Sequence, residues 1–174
     1  YENAGIWPTP EGAERRSPPP SSTYGFQKLA TEYFAQGAWE QYRLPYTIIR
    51  PFNCVGIGER RALSDAEIPS GNITLAMSHV VPDLVQKVLK GQDPLHILGD
   101  GTQVRHYTYG GDLARGIRLA IESDSALNTD FNLSTETPTT VRELAGTIWR
   151  HVRGDDPLRL VHRGGQGRVQ EVLR

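Results

Sequence analysis

At 174 residues, with 37% hydrophobic and 22% charged side chains, the chain has the make-up of one soluble globular domain and is long enough to bury a core. A net charge of −1 with scattered basic residues excludes the electrostatic footprint of a nucleic-acid binder, and no apolar run approaches the about 18 residues of a membrane span. No signal peptide is recognisable, and the lone Cys54 cannot form an internal disulfide, so a cytoplasmic setting is expected, with Cys54 as a small buried hydrophobe.

Residues 1–23 are expected to be irregular, because Pro8, Pro10 and Pro18-Pro19-Pro20 forbid a regular element; Ser21-Ser22-Thr23 then offers a helix N-cap. The pattern predicts a helix from about Tyr24 to Tyr42, with Leu29, Ala30, Tyr33, Phe34 and Trp39 buried. Tyr46 to Ile49 reads as a strand ending at Arg50-Pro51, and residues 53–80 as a long loop broken by Gly56, Gly58, Pro69 and Gly71. Pro82 suits the first position of a helix that Gly91 ends, and Leu95 to Leu98 is a strand closed by the turn Gly99-Asp100-Gly101.

Val104 to Tyr109 alternates like a strand, Asp112 is expected to cap a helix carrying Leu113 and Ile117, and Phe131 to Leu133 is a short strand. Thr140-x-x-Glu143 is a capping box opening a helix, and Leu158 to Val161 a final strand. Strands alternating with helices give an α/β fold class. The Gly-x-Gly-x-x-Gly dinucleotide fingerprint is absent from the sequence, and no Cys/His/Asp spacing matches a metal site. Trp7, Trp39 and Trp149 read as packing residues.

The most informative feature is Tyr24 and Lys28, four apart on the first predicted helix and hence on one face. A cation beside a phenol favours the phenolate, which makes such a tyrosine usable as a base for a sugar or alcohol hydroxyl. With seven tyrosines and three lysines, the spacing alone arises by chance in roughly one chain in eight. The surrounding motifs decide.

In order, Tyr24-Gly25-Phe26-Gln27-Lys28-Leu29-Ala30-Thr31-Glu32, Arg50-Pro51-Phe52-Asn53-Cys54-Val55-Gly56, Val81-Pro82, Leu98-Gly99-Asp100-Gly101-Thr102-Gln103-Val104-Arg105, Asp112-Leu113-Ala114 and Phe131-Asn132-Leu133-Ser134 run over about 110 residues. This ordered set resembles the carboxyl-terminal half of the extended short-chain dehydrogenase/reductases, the NAD-dependent nucleotide-sugar epimerase/dehydratase family. The resemblance implies the second half of a Rossmann-type doubly wound parallel sheet plus a small α/β substrate-binding lobe. Residues 1–53 would end the Rossmann domain and 54–174 would be mostly substrate lobe, with Rossmann returns near 104–122 and 131–134. The amino-terminal NAD-binding half, and a third catalytic Ser or Thr ahead of Tyr1, would lie outside the sequence, leaving this chain inactive alone. Gln27, His106 and Tyr109-Gly110-Gly111-Asp112 depart from the family pattern.

The resemblance further implies Tyr24 and Lys28 as catalytic residues that also bind cofactor, Pro51 and Phe52 facing the nicotinamide of NAD (or NADP), and Asn53, Val81, Arg105 and Arg163 binding a nucleotide-diphosphate sugar. Arg168 is the alternative to Arg163. A planar guanidinium such as Arg105 can take two phosphate oxygens at once. His79 and His106 are secondary candidates for substrate hydroxyls. A homodimer through the Tyr24–Lys28 helix is implied as well. Two other readings stay open: an epimerase-like module that binds a nucleotide-sugar or a partner without turnover, and an NAD(P)-dependent reductase of a non-sugar carbonyl.

Overall fold

The computed structural model describes residues 1–57 and 79–163, with the backbone of three further strands, and these divide into two units. Helices are α1 (Thr23–Tyr42), α2 (Val80–Leu89), α3 (Gly110–Ile121) and α4 (Val141–Arg153). Strands run β1 (Thr47–Pro51), β2 (Cys54–Val55), β3 (Ile68–Ser70), β4 (Ile73–Leu75), β5 (Leu95–Leu98), β6 (Val104–Arg105), β7 (Thr108–Tyr109), β8 (Thr129–Leu133), β9 (Thr139–Thr140), β10 (Leu160–Arg163) and β11 (Val169–Val172). The first unit is Tyr1–Cys54 with Thr108–Ser134; the second is Val55–Tyr107 with Thr135–Arg174. The architecture is α/β with parallel strand pairs.

In the first unit β1 and β8 pair in parallel, Thr47 opposite Thr129 and Pro51 opposite Leu133. Helix α3 lies against β1, with Leu113 buried. A Cβ at Gly116 would stand 2.8 Å from Leu133 Cδ1, so glycine sets how closely α3 approaches β8. The cap of α3 is Tyr109, not Asp112 as the sequence suggested. Asp112 instead occupies the first turn and pairs with Arg115, a placement that still favours an acid beside the positive end of the helix dipole.

Helix α1 starts where Ser22 Oγ accepts the Gly25 N–H at 3.0 Å, and ends at Arg43 in the left-handed region (φ 56°). None of its residues is buried, which corrects the burial expected for Leu29, Ala30, Tyr33, Phe34 and Trp39. The physical reason is angular: Phe26 and Tyr33 lie on the face opposite Tyr24 and Tyr42, so the apolar residues form no single stripe for the sheet to cover. Phe34 is 79% exposed. Cys54, expected inside, is also exposed; it sits on the two-residue strand β2, too short to carry an inward-facing row. Trp7, at 75% exposure, contributes no core packing.

The second unit holds the larger core. Strand β10 pairs with β5 in parallel and with β11 in antiparallel, and α2 and α4 pack together. Leu84, Val88, Leu95, Ile97, Ala145 and Trp149 form the centre of the cluster. Trp149 satisfies its buried ring N–H by donating to the Asp156 carbonyl at 2.8 Å. Helix α2 begins at Val80, so Pro82 is its third rather than first residue, still within the turn whose N–H groups need no helical partner. Gly91 follows with φ 81°, a conformation that stops the helix. The run expected as one strand from Val104 to Tyr109 is two short strands, β6 and β7, that belong to different units; β6 pairs with β9. The expected loop 53–80 contains the antiparallel pair β3–β4, and the last parallel strand starts two residues later than expected, at Leu160. Among the described residues no helix is long and apolar enough to cross a membrane.

The capping box of α4 is complete: Thr140 Oγ1 accepts the Glu143 N–H at 3.1 Å and Glu143 accepts the Thr140 N–H at 2.8 Å. Hydrogen bonds from the Thr140 backbone and then its side chain hold the Glu143 carboxyl below the usual carboxylate range. A depressed folded-state pKa adds stability above the unfolded value of about 4.3 and loses it as pH falls through the folded value. Glu143→Gln is therefore expected to weaken the acid-side fall in melting temperature below about pH 4.3, read by thermal melts across pH.

Candidate functional site

The first unit contains a cleft of about 850 Å³ whose walls include Tyr1, Tyr24, Lys28, Glu32, Arg50 and Phe52. Its position follows from local sequence. The proline run ends at Ser22, the N-cap, so Tyr24 enters in the first turn of α1 and Lys28 follows one turn on. Gly25 is required there for space: a Cβ would stand 2.6 Å from Glu2 Oε2 and 2.7 Å from Pro20 Cβ. Glu2 in turn accepts the Ser22 N–H at 3.0 Å and its hydroxyl, tying the first residues of the chain to the start of the helix.

Tyr24 is 71% exposed, and its hydroxyl makes no hydrogen bond among the described residues. Lys28 Nζ lies 5.5 Å from the Tyr24 ring centroid, within reach of a cation–π contact. Lys28 makes no ion pair among the described residues. Pro51 and Phe52 line the same cleft at the carboxyl end of β1, the end at which open parallel sheets take ligands. Phe52 is fixed by its N–H to Leu133 O at 3.2 Å and by stacking on Tyr1, centroids 6.2 Å apart. Asn53 turns the chain with φ 39°, and its carbonyl accepts the Thr108 N–H at 3.1 Å.

Sequence reasoning passed over the group that organises this unit. Arg50, its side chain 11% exposed, donates Nε to Glu32 Oε1 at 2.8 Å and Nη2 to Glu32 Oε2 at 2.7 Å. Its Nη1 serves the Tyr1 hydroxyl at 2.9 Å and Asp130, and Glu14 lies 3.5 Å from Nη2. Burial by itself would weaken the guanidinium's charge, but the bonds to Glu32 and Asp130 outweigh it and raise the Arg50 pKa above its usual value. Burial also raises the Tyr1 phenol, with Arg50 and Asn132 opposing. A signal was available: Glu32 stands one turn past Lys28, and a charged residue at the end of a sheet strand needs a partner.

The other expected site residues fall in the second unit. Val81 is the second residue of α2 and half-buried. Arg105 is exposed on β6, with Nη1 donating to Val104 O at 2.9 Å. Arg163 ends β10, but its side chain lies outside the described residues, as does all of Arg168. His106 pairs its Nδ1 with Thr135 O at 3.0 Å, a structural tie, and His79 is the N-cap residue of α2. No cluster of three or more metal-ligating side chains occurs among the described residues.

The model of the NAD dependent epimerase/dehydratase family matches residues 1–134, more than half of the sequence. The chain belongs to that family. It is 30% identical over 129 residues to a putative UDP-glucose 4-epimerase of Methanocaldococcus jannaschii, covering 74% of this chain and 37% of the relative. It is 29% identical over 143 residues to the UDP-glucose 4-epimerase of Halalkalibacterium halodurans, covering 78% and 40%. In structure it is similar to the UDP-glucose 4-epimerase of Thermotoga maritima solved with UDP-glucose, with a TM-score of 0.72 and 30% identity over 94% of this chain and 46% of that one. This family member thus spans less than half the length of the relatives it matches. The fold is that of the Rossmann-type epimerases, in part.

Proposed function

We propose that the chain carries the proton-transfer pair and part of the substrate site of an NAD-dependent nucleotide-sugar epimerase or dehydratase. The observation that carries the reading is Tyr24 with Lys28 above its ring on the wall of a ligand-sized cleft, in a chain of this family. The first unit would then be the end of the Rossmann domain and the second the substrate lobe. The cleft suits NAD: it has room, an ammonium with no ion pair among the described residues, an exposed phenol, and Pro51 and Phe52 at the strand end. Tyr24, Lys28, Pro51 and Phe52 would hold the nicotinamide ribose. When bound, NAD supplies a hydride acceptor that can return the hydride.

Tyr24 Oη takes the proton of a sugar hydroxyl, at C4 in this reading, as the ring carbon is oxidised. Lys28 offsets the negative charge that passes through the phenol oxygen. Asn53, Val81, Arg105 and Arg163 bind the nucleotide-sugar, Arg105 through its diphosphate. Names of relatives that include UDP-glucose and UDP-sugars support a UDP-sugar as substrate. The exposed aromatic residues Phe26, Tyr33 and Phe34 support homodimerisation through α1.

Arg105→Ala gives a direct test of the diphosphate contact. A charge-assisted hydrogen bond is worth roughly 1.5–3 kcal/mol, so calorimetric titration of UDP-glucose into the full-length protein should show Kd raised about tenfold to a hundredfold. Because Arg105 is exposed, the melting temperature should not move. An unchanged Kd would remove Arg105 from the substrate site.

A further inference from the structure

We propose that Arg50 is a positioning residue that keeps Lys28 on Tyr24 by holding Glu32 away from it. This rests on the reading of Tyr24 and Lys28 as the proton-transfer pair. Lys28 and Glu32 stand four apart on α1, the spacing at which opposite charges on a helix meet. The other two pairs of opposite charge at that spacing in the described helices both close: Asp83 with Lys87 at 2.6 Å, and Arg118 with Glu122 at 2.8 Å. The second has the same order, base before acid, as Lys28 and Glu32. Lys28 and Glu32 do not close. Both oxygens of Glu32 are engaged by the Arg50 fork, and Lys28 lies instead against the Tyr24 ring.

The geometry explains why an arginine does this. A planar guanidinium takes both carboxylate oxygens in parallel, whereas an ammonium takes one site at a time, so Arg50 outcompetes Lys28 for Glu32. Arg50 is itself anchored on β1 by Asp130 from β8, Glu14 from the amino-terminal segment and the Tyr1 hydroxyl. The charged groups lining the cleft with Tyr24 and Lys28 are Glu2, Glu14, Glu32 and Arg50. Glu2 is committed to Ser22, and Glu14 and Glu32 to Arg50. Among the described residues lining the cleft, each carboxylate already has a partner other than Lys28, Glu14 through an ion pair alone, without a hydrogen bond to its Oε2. The same bonds fix α1 against β1, with Glu32 one turn from Lys28 and two from Tyr24.

The test reads the contact itself. With three lysines in the sequence, the Cε protons of Lys28 are assignable, and the Tyr24 ring current displaces them in a proton–carbon spectrum. In Arg50→Gln that displacement is lost as Glu32 captures Lys28; in Glu32→Gln it persists; in the double variant Arg50→Gln/Glu32→Gln it returns. Thr31→Glu, which leaves Arg50 in place, sets an unheld carboxylate three residues from Lys28 and should also remove the displacement, so the idea stays testable if Arg50→Gln fails to fold. A displacement unchanged in Arg50→Gln or Thr31→Glu, or one not regained in the double variant, overturns the proposal. In the full-length protein kcat should fall in Arg50→Gln and recover in the double variant, which loss of a mere brace would not allow. Turnover retained in Tyr24→Phe would instead refute the proton-transfer reading and leave the Arg50 device standing.

Discussion

Turnover of a UDP-sugar by the full-length protein should fall by about 10²- to 10⁴-fold in Tyr24→Phe, the range that a positioned acid–base group contributes. The substitution removes one oxygen that makes no hydrogen bond among the described residues, from a side chain 71% exposed. Folding should therefore be untouched, and Lys28 keeps a ring to lie against. If the hydroxyl acts only as the proton moves, kcat and kcat/KM drop together while KM stays near its original value. Steady-state kinetics beside a thermal melt separate the cases. A KM increase with kcat intact would make Tyr24 a binding residue.

The largest stability effect is expected at Arg50. Arg50→Ala leaves Glu14 and Asp130, with side chains 8% and 30% exposed, without their shared cation, and leaves Glu32, 17% exposed, only the ammonium of Lys28 to turn to. Breaking a buried ion pair by removing one partner costs about 3–5 kcal/mol, because the remaining charges are desolvated and unpaired. That is a large share of the roughly 5–15 kcal/mol that holds a domain together. The exposed pair Asp93 and Arg159, 2.6 Å apart, is the control: removing Arg159 should cost no more than about 1 kcal/mol. Chemical denaturation of the variants measures both. Equal losses at the two sites would mean that water screens the Arg50 cluster.

What could be read from the sequence was local. The start of α1 at Ser22 and the capping box at Thr140 depend on residues within three positions, and the structure has both. The α/β class followed from the alternation of periodic segments, and the parallel sheet from the family resemblance. The misses depend on contacts distant in sequence. Whether Phe34 is covered depends on what meets α1, and the division of Val104 to Tyr109 depends on pairing with Thr139 and Thr140. Asp112 has the chemistry of a cap, yet the backbone enters the helix at Tyr109, three residues sooner. Within the candidate site, Tyr24, Lys28, Pro51 and Phe52 do share one cleft. The arginine that organises it escaped notice because its partners come from positions 14, 32 and 130.

In the proposed function, Tyr24 moves the proton while a sugar ring carbon is oxidised and re-formed. The most direct measurement incubates the full-length protein with NAD and a panel of UDP-sugars and follows the ring carbons by NMR. The expected result is inversion at C4, or loss of water after oxidation there, abolished by Tyr24→Phe. A UDP-sugar that binds and is recovered unchanged would contradict the claim and leave a binding module in its place.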